Sequence, residues 1–382
     1  MKVLFLTQSS DIGGSERQLV ALAKGLQNKG HVIRVGKFYS GGPLEEILKD
    51  AGVPVINFNK RGRWDLFSFL YSLTSVVRRE KADILHGYLP VPNILTTLLK
   101  PIFPQIKMVW GIRASNMDLS RYDWWAKFVF FWERFFSRYA DMIIVNSHAG
   151  CAYHSAHGFR DDKMVVVPNG IDMNYFRPDP SARSRKRGEW KITDSESVIG
   201  IVARLDPMKD HQTFLQAASI LAKTNDNLRF VCVGNGPKPY MSKLTGLASE
   251  LGLGGRLLWA GVCKDMPATY NGFDVVVVSS SFGEGFPNVV GEAMACGIPC
   301  VVTDVGDSAL IVEDTRLVVS PGNPEAMSVG INHALSLTST TSRAATRERI
   351  AARFSLDQLV GRTEALLTSI CPARDSAQTV HV

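Results

Sequence analysis

Short apolar runs rich in β-branched residues recur along this chain, and each is followed by a longer stretch of helical character. In the first half the runs read KVLFLT, HVIRVGKF, PVINF, ADILHG, KMVWGI, DMIIVN and KMVVVPN. After residue 197 the pattern restarts with SVIGIVAR, LRFVCVGN, RLLWAGV, DVVVVSSS, CVVTDV and RLVVS. The intervening stretches read as helices; ERQLVALAKGLQNKG ends on a glycine suited to a C-cap. Strand–helix alternation of this kind predicts parallel sheets of doubly wound α/β type. Polarity rises at 178–197, PDPSARSRKRGEWKITDSES, where two prolines and clustered charge mark a linker or surface loop. The expected organisation is a Rossmann-like domain over 1–180, a linker at 181–197 and a second Rossmann-like domain over 198–355. SLDQLVGRTEALLTSI predicts a last helix at 356–371, placed to cross back to the first domain, before a tail at 372–382.

Length agrees with two domains, since 382 residues exceed one ordinary core. With 45% hydrophobic and 21% charged residues the chain reads as globular, not disordered. Its start, KVLFLTQSS, has too short an apolar run for a signal peptide, and no later window of about 18 apolar residues would span a membrane. A cytoplasmic protein is therefore expected. The six cysteines, Cys151, Cys232, Cys263, Cys296, Cys300 and Cys371, form no C-x-x-C pair and are expected to be reduced. Net charge is +7, and residues 1–180 hold all of it, with 23 Lys and Arg against 16 Asp and Glu. A basic first half suits an acidic partner: an anionic membrane surface on the inner face of the cytoplasmic membrane, or a phosphate-bearing lipid. No nucleic-acid-binding motif accompanies that charge.

The densest chemistry lies at 279–305, SSSFGEGFPNVVGEAMACGIPCVVTDV. A glycine- and proline-bearing loop runs into a helix that starts near Asn288. Glu284 sits on the loop and Glu292 about one turn into the helix. A helix start offers N–H groups and a positive dipole end to a phosphate, and two flanking carboxylates can bind sugar hydroxyls. Without further context, Glu292 could equally salt-bridge a surface helix.

That segment resembles the Glu-x7-Glu motif of glycosyltransferase family 4, retaining enzymes of the GT-B fold. GIVARLDPMKDHQTFLQAA (200–218) resembles the family's phosphate-binding segment, and LRFVCVGNGP, AGVCKDMPATYNGFDVVVVSS and VVVPNGIDMNYF match in order and spacing. The likeness is dense after residue 198 and thin before 140. It implies two Rossmann-like domains facing a cleft, a nucleoside-diphosphate-sugar donor and no metal or other cofactor. By position, Arg204 and Lys209 match the basic pair that neutralises the donor diphosphate, the charge a leaving diphosphate requires. Glu284 matches the acid near the transferred sugar, and Glu292 the acid that binds the ribose. Backbone groups of Phe286, Pro287, Asn288 and Val289 are implied in the phosphate and sugar pocket, with Val262 and Cys263 near the base. Gly14, in the loop Asp11-Ile12-Gly13-Gly14-Ser15-Glu16, resembles the residue facing the donor phosphate.

The likeness frays where many relatives carry a histidine after the fifth strand. This chain reads Trp110-Gly111-Ile112-Arg113-Ala114-Ser115. Arg113 occupies that neighbourhood; it cannot act as a base but can bind a phosphate or hydroxyl. His86, ending the ADILHG run, is the other active-site candidate, with a satisfied structural histidine as its alternative. His148, His154 and His157 follow no standard metal spacing. In YDWWAKFVFFWERFFSRYA (122–140), Phe128, Phe131, Trp132, Phe135 and Tyr139 recur at helical spacing beside Lys127, Arg134 and Arg138. They read either as a helix packed on the core or as a basic aromatic surface for a membrane interface. KRGRWDLFSFLYSLTSVVRR (60–79) has the same character.

The expected activity is sugar transfer, with retained configuration, to a carbohydrate or polyprenyl-linked lipid acceptor in cell-envelope polysaccharide or glycolipid synthesis. Its rivals are an epimerase or hydrolase on the same fold, and a carbohydrate-binding scaffold. A nicotinamide-dependent oxidoreductase is a further rival, but Gly234-Asn235-Gly236-Pro237-Lys238-Pro239 lacks the third glycine of the dinucleotide fingerprint.

Overall fold

The computed structural model describes residues 1–8, 13–62, 65–113, 124–337 and 340–371. Of the segments read above, residues 9–12, 63–64, 114–115, 122–123 and 372–382 lie outside the described residues. The chain forms two compact units. Among the described residues, the first draws on 1–113, 124–170 and 356–371, and the second on 171–355.

The first unit is a seven-stranded parallel sheet in the order β3-β2-β1-β4-β5-β6-β7. Its strands are β1 (Lys2–Thr7), β2 (Val32–Lys37), β3 (Val55–Asn57), β4 (Ile84–Tyr88), β5 (Lys107–Ile112), β6 (Met142–Val145) and β7 (Met164–Val166). Its helices are α1 (Gly14–Asn28), α2 (Pro43–Asp50), α3 (Leu66–Glu80), α4 (Pro90–Leu98), α5 (Trp124–Phe136) and α6 (His148–Ala156). The strands are apolar on both faces because separate cores cover each side. Val3, Phe5, Ile84 and Val109 pack towards α1, while Leu4, Leu6, Leu85 and Met108 pack towards α3.

The second unit is a six-stranded parallel sheet in the order β10-β9-β8-β11-β12-β13. It comprises β8 (Ser197–Val202), β9 (Leu228–Val233), β10 (Leu257–Gly261), β11 (Val275–Val278), β12 (Cys300–Thr303) and β13 (Val318–Val319). Its helices are α7 (Pro180–Trp190), α8 (His211–Ala222), α9 (Lys238–Glu250), α10 (Met266–Gly272), α11 (Asn288–Ala295), α12 (Ser308–Val312), α13 (Pro324–Ser336) and α14 (Thr340–Phe354). The last helix, α15 (Leu356–Ile370), lies against α1 in the first unit: Val360 sits so close to Gly25 that a methyl there would meet it at 2.3 Å. Glu364 adds ion pairs to Lys29 at 2.6 Å and His31 at 2.7 Å.

One sequence reading changes, and two that were open narrow. Residues 181–197 are not a linker: α7 is part of the second unit, capped by Asp179 and packed on α10. Its charges satisfy a buried acid, with Arg183 and Arg187 on Asp274 at 2.7 and 2.5 Å, and Trp190 stacks on Phe273. The polarity that reads as a loop is thus an internal ion cluster. The aromatic stripe of α5 does not face the core either; Phe128, Phe131, Phe135 and Tyr139 are exposed, and Trp124 is 71% exposed. The inward side of α5 instead carries Glu133, Phe130 and Phe136. On α3, Phe67 and Tyr71 are 91% and 80% exposed. Among the described residues no helix is long and apolar enough to cross a membrane. All six cysteines are unpaired thiols.

Candidate functional site

In the second sheet the strand order turns between β8 and β11, with β9 and β10 on one side and β12 and β13 on the other. Such a switch point opens a crevice outside the carboxyl ends of two neighbouring strands. Lys209 follows β8 and Glu284 follows β11, one on each side. Asp206 caps a short 3-10 turn over Pro207–Lys209, accepting from the Met208 N–H at 2.9 Å. Asp210, at φ 44°, caps α8 by accepting from the Thr213 N–H at 3.2 Å. Between these caps Lys209 has little freedom. Its Nζ donates to Glu284 Oε1 at 2.5 Å, and Ser280 Oγ donates to the same oxygen at 2.6 Å. A buried carboxylate held by a cation and a hydroxyl is fixed in orientation.

Backbone geometry supports both loops. Gly306, at φ 64° after β12, brings its backbone so near Glu284 that a methyl there would lie 2.4 Å from the Glu284 carbonyl oxygen. Asp307 N–H then donates to Gly285 O at 2.9 Å. On the other side, Ala203 N–H and Leu205 N–H donate to Val233 O and Asn235 O, both at 2.9 Å. Gly234 permits this approach, since a methyl on it would meet Ala203 O at 1.9 Å. The glycines of the Gly234–Gly236 run therefore serve the loop that carries Arg204. That side chain is 73% exposed and meets Asp206 at 3.4 Å, so it extends into solvent while Lys209 turns to Glu284.

Helix α11 begins at Asn288 with Pro287 as its N-cap residue. Pro287 has no N–H, so the donors at this helix start belong to Asn288 and Val289. Phe286 points into the core and meets Phe354 at 5.3 Å between ring centroids, leaving its backbone for the loop. Glu292, one turn into α11, is buried and accepts from Tyr270 Oη at 2.6 Å. Val262, exposed, and Cys263, half-buried, follow β10 at the same carboxyl edge. His211 opens α8 fully buried, with both ring nitrogens unpartnered; burial and then the Lys209 charge push its pKa down to about 4.

The first sheet turns between β1 and β4. After β1, Gly13 and Gly14 enter α1, and the Gly13 N–H donates to Glu16 Oε2 at 3.0 Å. A methyl on Gly13 would meet that oxygen at 2.7 Å, so a larger residue there would make the Glu16 carboxylate shift. Across the switch, the ends of β4 to β7 present His86 and Tyr88, Arg113, Asn146 and Asn169. The Arg113 guanidinium lies 4.4 Å from the Tyr88 ring centroid and donates to Asn169 Oδ1 at 3.3 Å. Among the described residues, both His86 ring nitrogens, Tyr88 Oη, Arg113 Nε and Asn146 Oδ1 are buried with no hydrogen-bond partner of normal geometry. Burial, reinforced by Arg113, pushes the His86 pKa down to about 3, so the imidazole is neutral. Unsatisfied buried polar atoms are costly, and a row of them across three strand ends is a place for a polar ligand.

Sequence reasoning named Arg113 and His86 but missed Tyr88, Asn146 and Asn169. It also missed Ser280, Tyr270 and His211. Tyr88, Asn146 and Asn169 fall within three residues of a strand's carboxyl end, and that position was the available signal. The histidines of α6 bond to their own helix: His154 and His157 Nδ1 lie 2.7 Å from the carbonyls of Gly150 and Tyr153.

Two family models match this chain. Glycosyltransferase Family 4 covers residues 12–175, and Glycosyl transferases group 1 covers residues 182–352. The chain is 26% identical over 282 residues to the UDP-Gal:alpha-D-GlcNAc-diphosphoundecaprenol alpha-1,3-galactosyltransferase of Escherichia coli, covering 72% of each chain. It is 31% identical over 243 residues to the D-inositol 3-phosphate glycosyltransferase of Mycobacterium bovis, covering 60% of this chain and 48% of that protein. Alignments with curated relatives of this kind span from 44% to 72% of their length. In fold, the chain is similar to the crystal structure of Anabaena Alr3699/HepE in complex with UDP. The TM-score is 0.86 at 23% identity, covering 97% of this chain and 100% of that one. The architecture is the two-unit GT-B fold.

Proposed function

This chain belongs to glycosyltransferase family 4, and from that premise we propose that it transfers a sugar from a nucleoside diphosphate to a carbohydrate or lipid-linked acceptor. One observation carries the reading: a half-buried Lys209 paired with the buried Glu284 across the switch point of the second sheet, beside the start of α11. Lys209 and Arg204 neutralise the diphosphate as it leaves, supplying charge where it develops. Arg204, extended and solvent-exposed, swings onto the phosphate when the donor arrives. Glu284 orients the transferred sugar, and Glu292, steadied by Tyr270, holds the ribose. Asn288 and Val289 N–H groups face the phosphate at the helix start, with Phe286 and Pro287 shaping the loop. Val262 and Cys263 border the base.

Transfer proceeds with retention through an oxocarbenium-like state, in which the departing phosphate oxygen takes the acceptor proton. Lys209 and Arg204 are protein cations suited to the charge that a metal carries in other transferases, so the reaction is independent of metal and of any other cofactor. The acceptor binds at Arg113, His86 and Tyr88, whose open hydrogen-bonding positions support a hydroxylated or phosphate-bearing partner. Relatives named for a UDP-sugar and a diphospho-lipid support that pairing of substrates. The protein acts on the cytoplasmic side, in peripheral contact with an anionic membrane; the positive first 180 residues and the exposed aromatics of α3 and α5 support this.

A thermal-shift screen of nucleotide sugars, followed by product analysis with the best stabiliser, tests the proposal. The expected result is a stabilising donor whose sugar appears on an added acceptor with its anomeric configuration kept. Consumption of the donor at the same rate without acceptor would overturn transfer in favour of hydrolysis or epimerisation.

A further inference from the structure

The sites above leave one concavity unused. It has a volume of about 420 Å³ and lies in the first unit between α5 and the end of α6. Lys127, Phe130, Phe131 and Arg134 line it from α5, and Ala156, His157 and Gly158 from the other side. Phe130 fixes the two walls together, meeting His157 at 5.7 Å and Phe159 at 5.5 Å between ring centroids. Lys127 and Arg134 are seven residues apart, two helical turns on one side and about 10 Å in rise. The Arg134 Nε lies 3.2 Å from where a side chain on Gly158 would begin, so the guanidinium rests on backbone. His157 Nδ1 is committed to the Tyr153 carbonyl at 2.7 Å, leaving Nε2 for another partner. Among the described residues, no carboxylate lines the cavity.

A concavity whose described lining holds two cations and an imidazole fits a phosphate. Its rim decides which phosphate. Trp124, Phe128, Phe131 and Phe135 stand exposed along the same helix, an apolar margin that a free phosphate or nucleotide would leave in water. An anionic phospholipid uses both features, with its head group between the cations and its glycerol and upper acyl chains against the rings. We propose that this cavity is a head-group site for an anionic phospholipid, which docks the first unit on a membrane. The inference rests on the membrane reading given above and names the residues that carry it.

Vesicle co-sedimentation of the full chain tests it, with phosphatidylcholine alone against phosphatidylcholine mixed with phosphatidylglycerol. The paired variant Lys127→Glu/Arg134→Glu is expected to weaken binding to the mixed vesicles by at least about tenfold. The control Lys24→Glu/Lys81→Glu makes the same charge change elsewhere on the unit and is expected to change binding less than about twofold. Both pairs are exposed, and circular dichroism should show both folded. Equal losses in the two pairs would overturn the site while leaving diffuse membrane attraction standing. Wild-type protein with no preference for the mixed vesicles would overturn the membrane reading itself. Inorganic phosphate binding that needs Lys127 and Arg134, without a vesicle preference, would assign the cavity to a soluble ligand.

Discussion

The carboxyl edges of the two sheets hold similar polar side chains in opposite conditions. In the second unit, Lys209 and Ser280 both donate to Glu284, and Tyr270 donates to Glu292. In the first unit, His86, Tyr88, Arg113 and Asn146 leave buried atoms with no partner. His211 is the exception in the second unit, buried and unpartnered beside Lys209. A group paired before the ligand arrives is preorganised, so it favours chemistry; an unpaired one costs about 1–3 kcal/mol until a ligand completes it, so it favours recognition. Under the proposed function, the contrast predicts that rate depends on the second unit and acceptor choice on the first.

The largest expected effect tests the paired side. Glu284→Gln and Lys209→Met should each lower kcat/KM by about 10²–10³, with the acceptor KM unchanged within about twofold. Steady-state kinetics with both substrates varied would read this. An acceptor KM that rises as steeply as kcat falls would break the division of labour.

The next effect concerns stability. Glu133 is fully buried on α5, and burial lifts its pKa to about 7, partly offset by the Asn93 Nδ2–H at 3.0 Å. The folded chain therefore binds a proton that the unfolded chain has released once pH exceeds about 4.3. Stability is lost as pH rises from there to about 7, then levels off, for a total of roughly 3 kcal/mol. Glu133→Gln keeps the Asn93 contact without the charge. Denaturant unfolding at pH 8 should show the variant more stable than the parent, and at pH 5 nearly equal to it. A constant difference between the two pH values would mean that the carboxyl does not titrate in this window.

These groups differ in how far the sequence reveals them. All thirteen strands are legible because an apolar run bounded by turn residues is a local signal. Lys209, Glu284 and the start of α11 are legible for the same reason, each lying within a contiguous motif. Ser280 and Tyr270 are not, because their importance comes from a partner: Tyr270 reaches across 22 residues to Glu292. Helix α7 hides in a polar stretch because its arginines are satisfied by Asp274, roughly 90 residues downstream. The facing of α5 hides for the opposite reason. Its aromatic periodicity is real, but hydrophobic spacing alone does not say whether protein or another apolar phase covers the stripe.

On the unpaired side, Arg113→Gln should raise the acceptor KM about 10- to 100-fold, the range of a hydrogen bond to a charged group. The donor KM should hold. Arg113→Lys should recover part of the loss for a phosphate-bearing acceptor and little for a neutral one, since it keeps the charge without the planar fork. A donor KM that moves with Arg113 would place this residue on the other substrate and erase the contrast.

The smallest effect probes how the paired side is divided within itself. The Tyr270 ring is fully buried and meets Phe176 at 5.9 Å, so Tyr270→Phe keeps the packing and removes only the hydroxyl. What is lost is one hydrogen bond to the Glu292 carboxylate, worth about 1 kcal/mol and somewhat more because the acceptor is charged and buried. If Glu292 grips the ribose, that loss loosens the donor in ground state and transition state alike. The donor KM should then rise about five- to tenfold while kcat stays within about twofold. A fall in kcat at constant KM would move Glu292 from the ribose to the reacting carbon, beside Glu284.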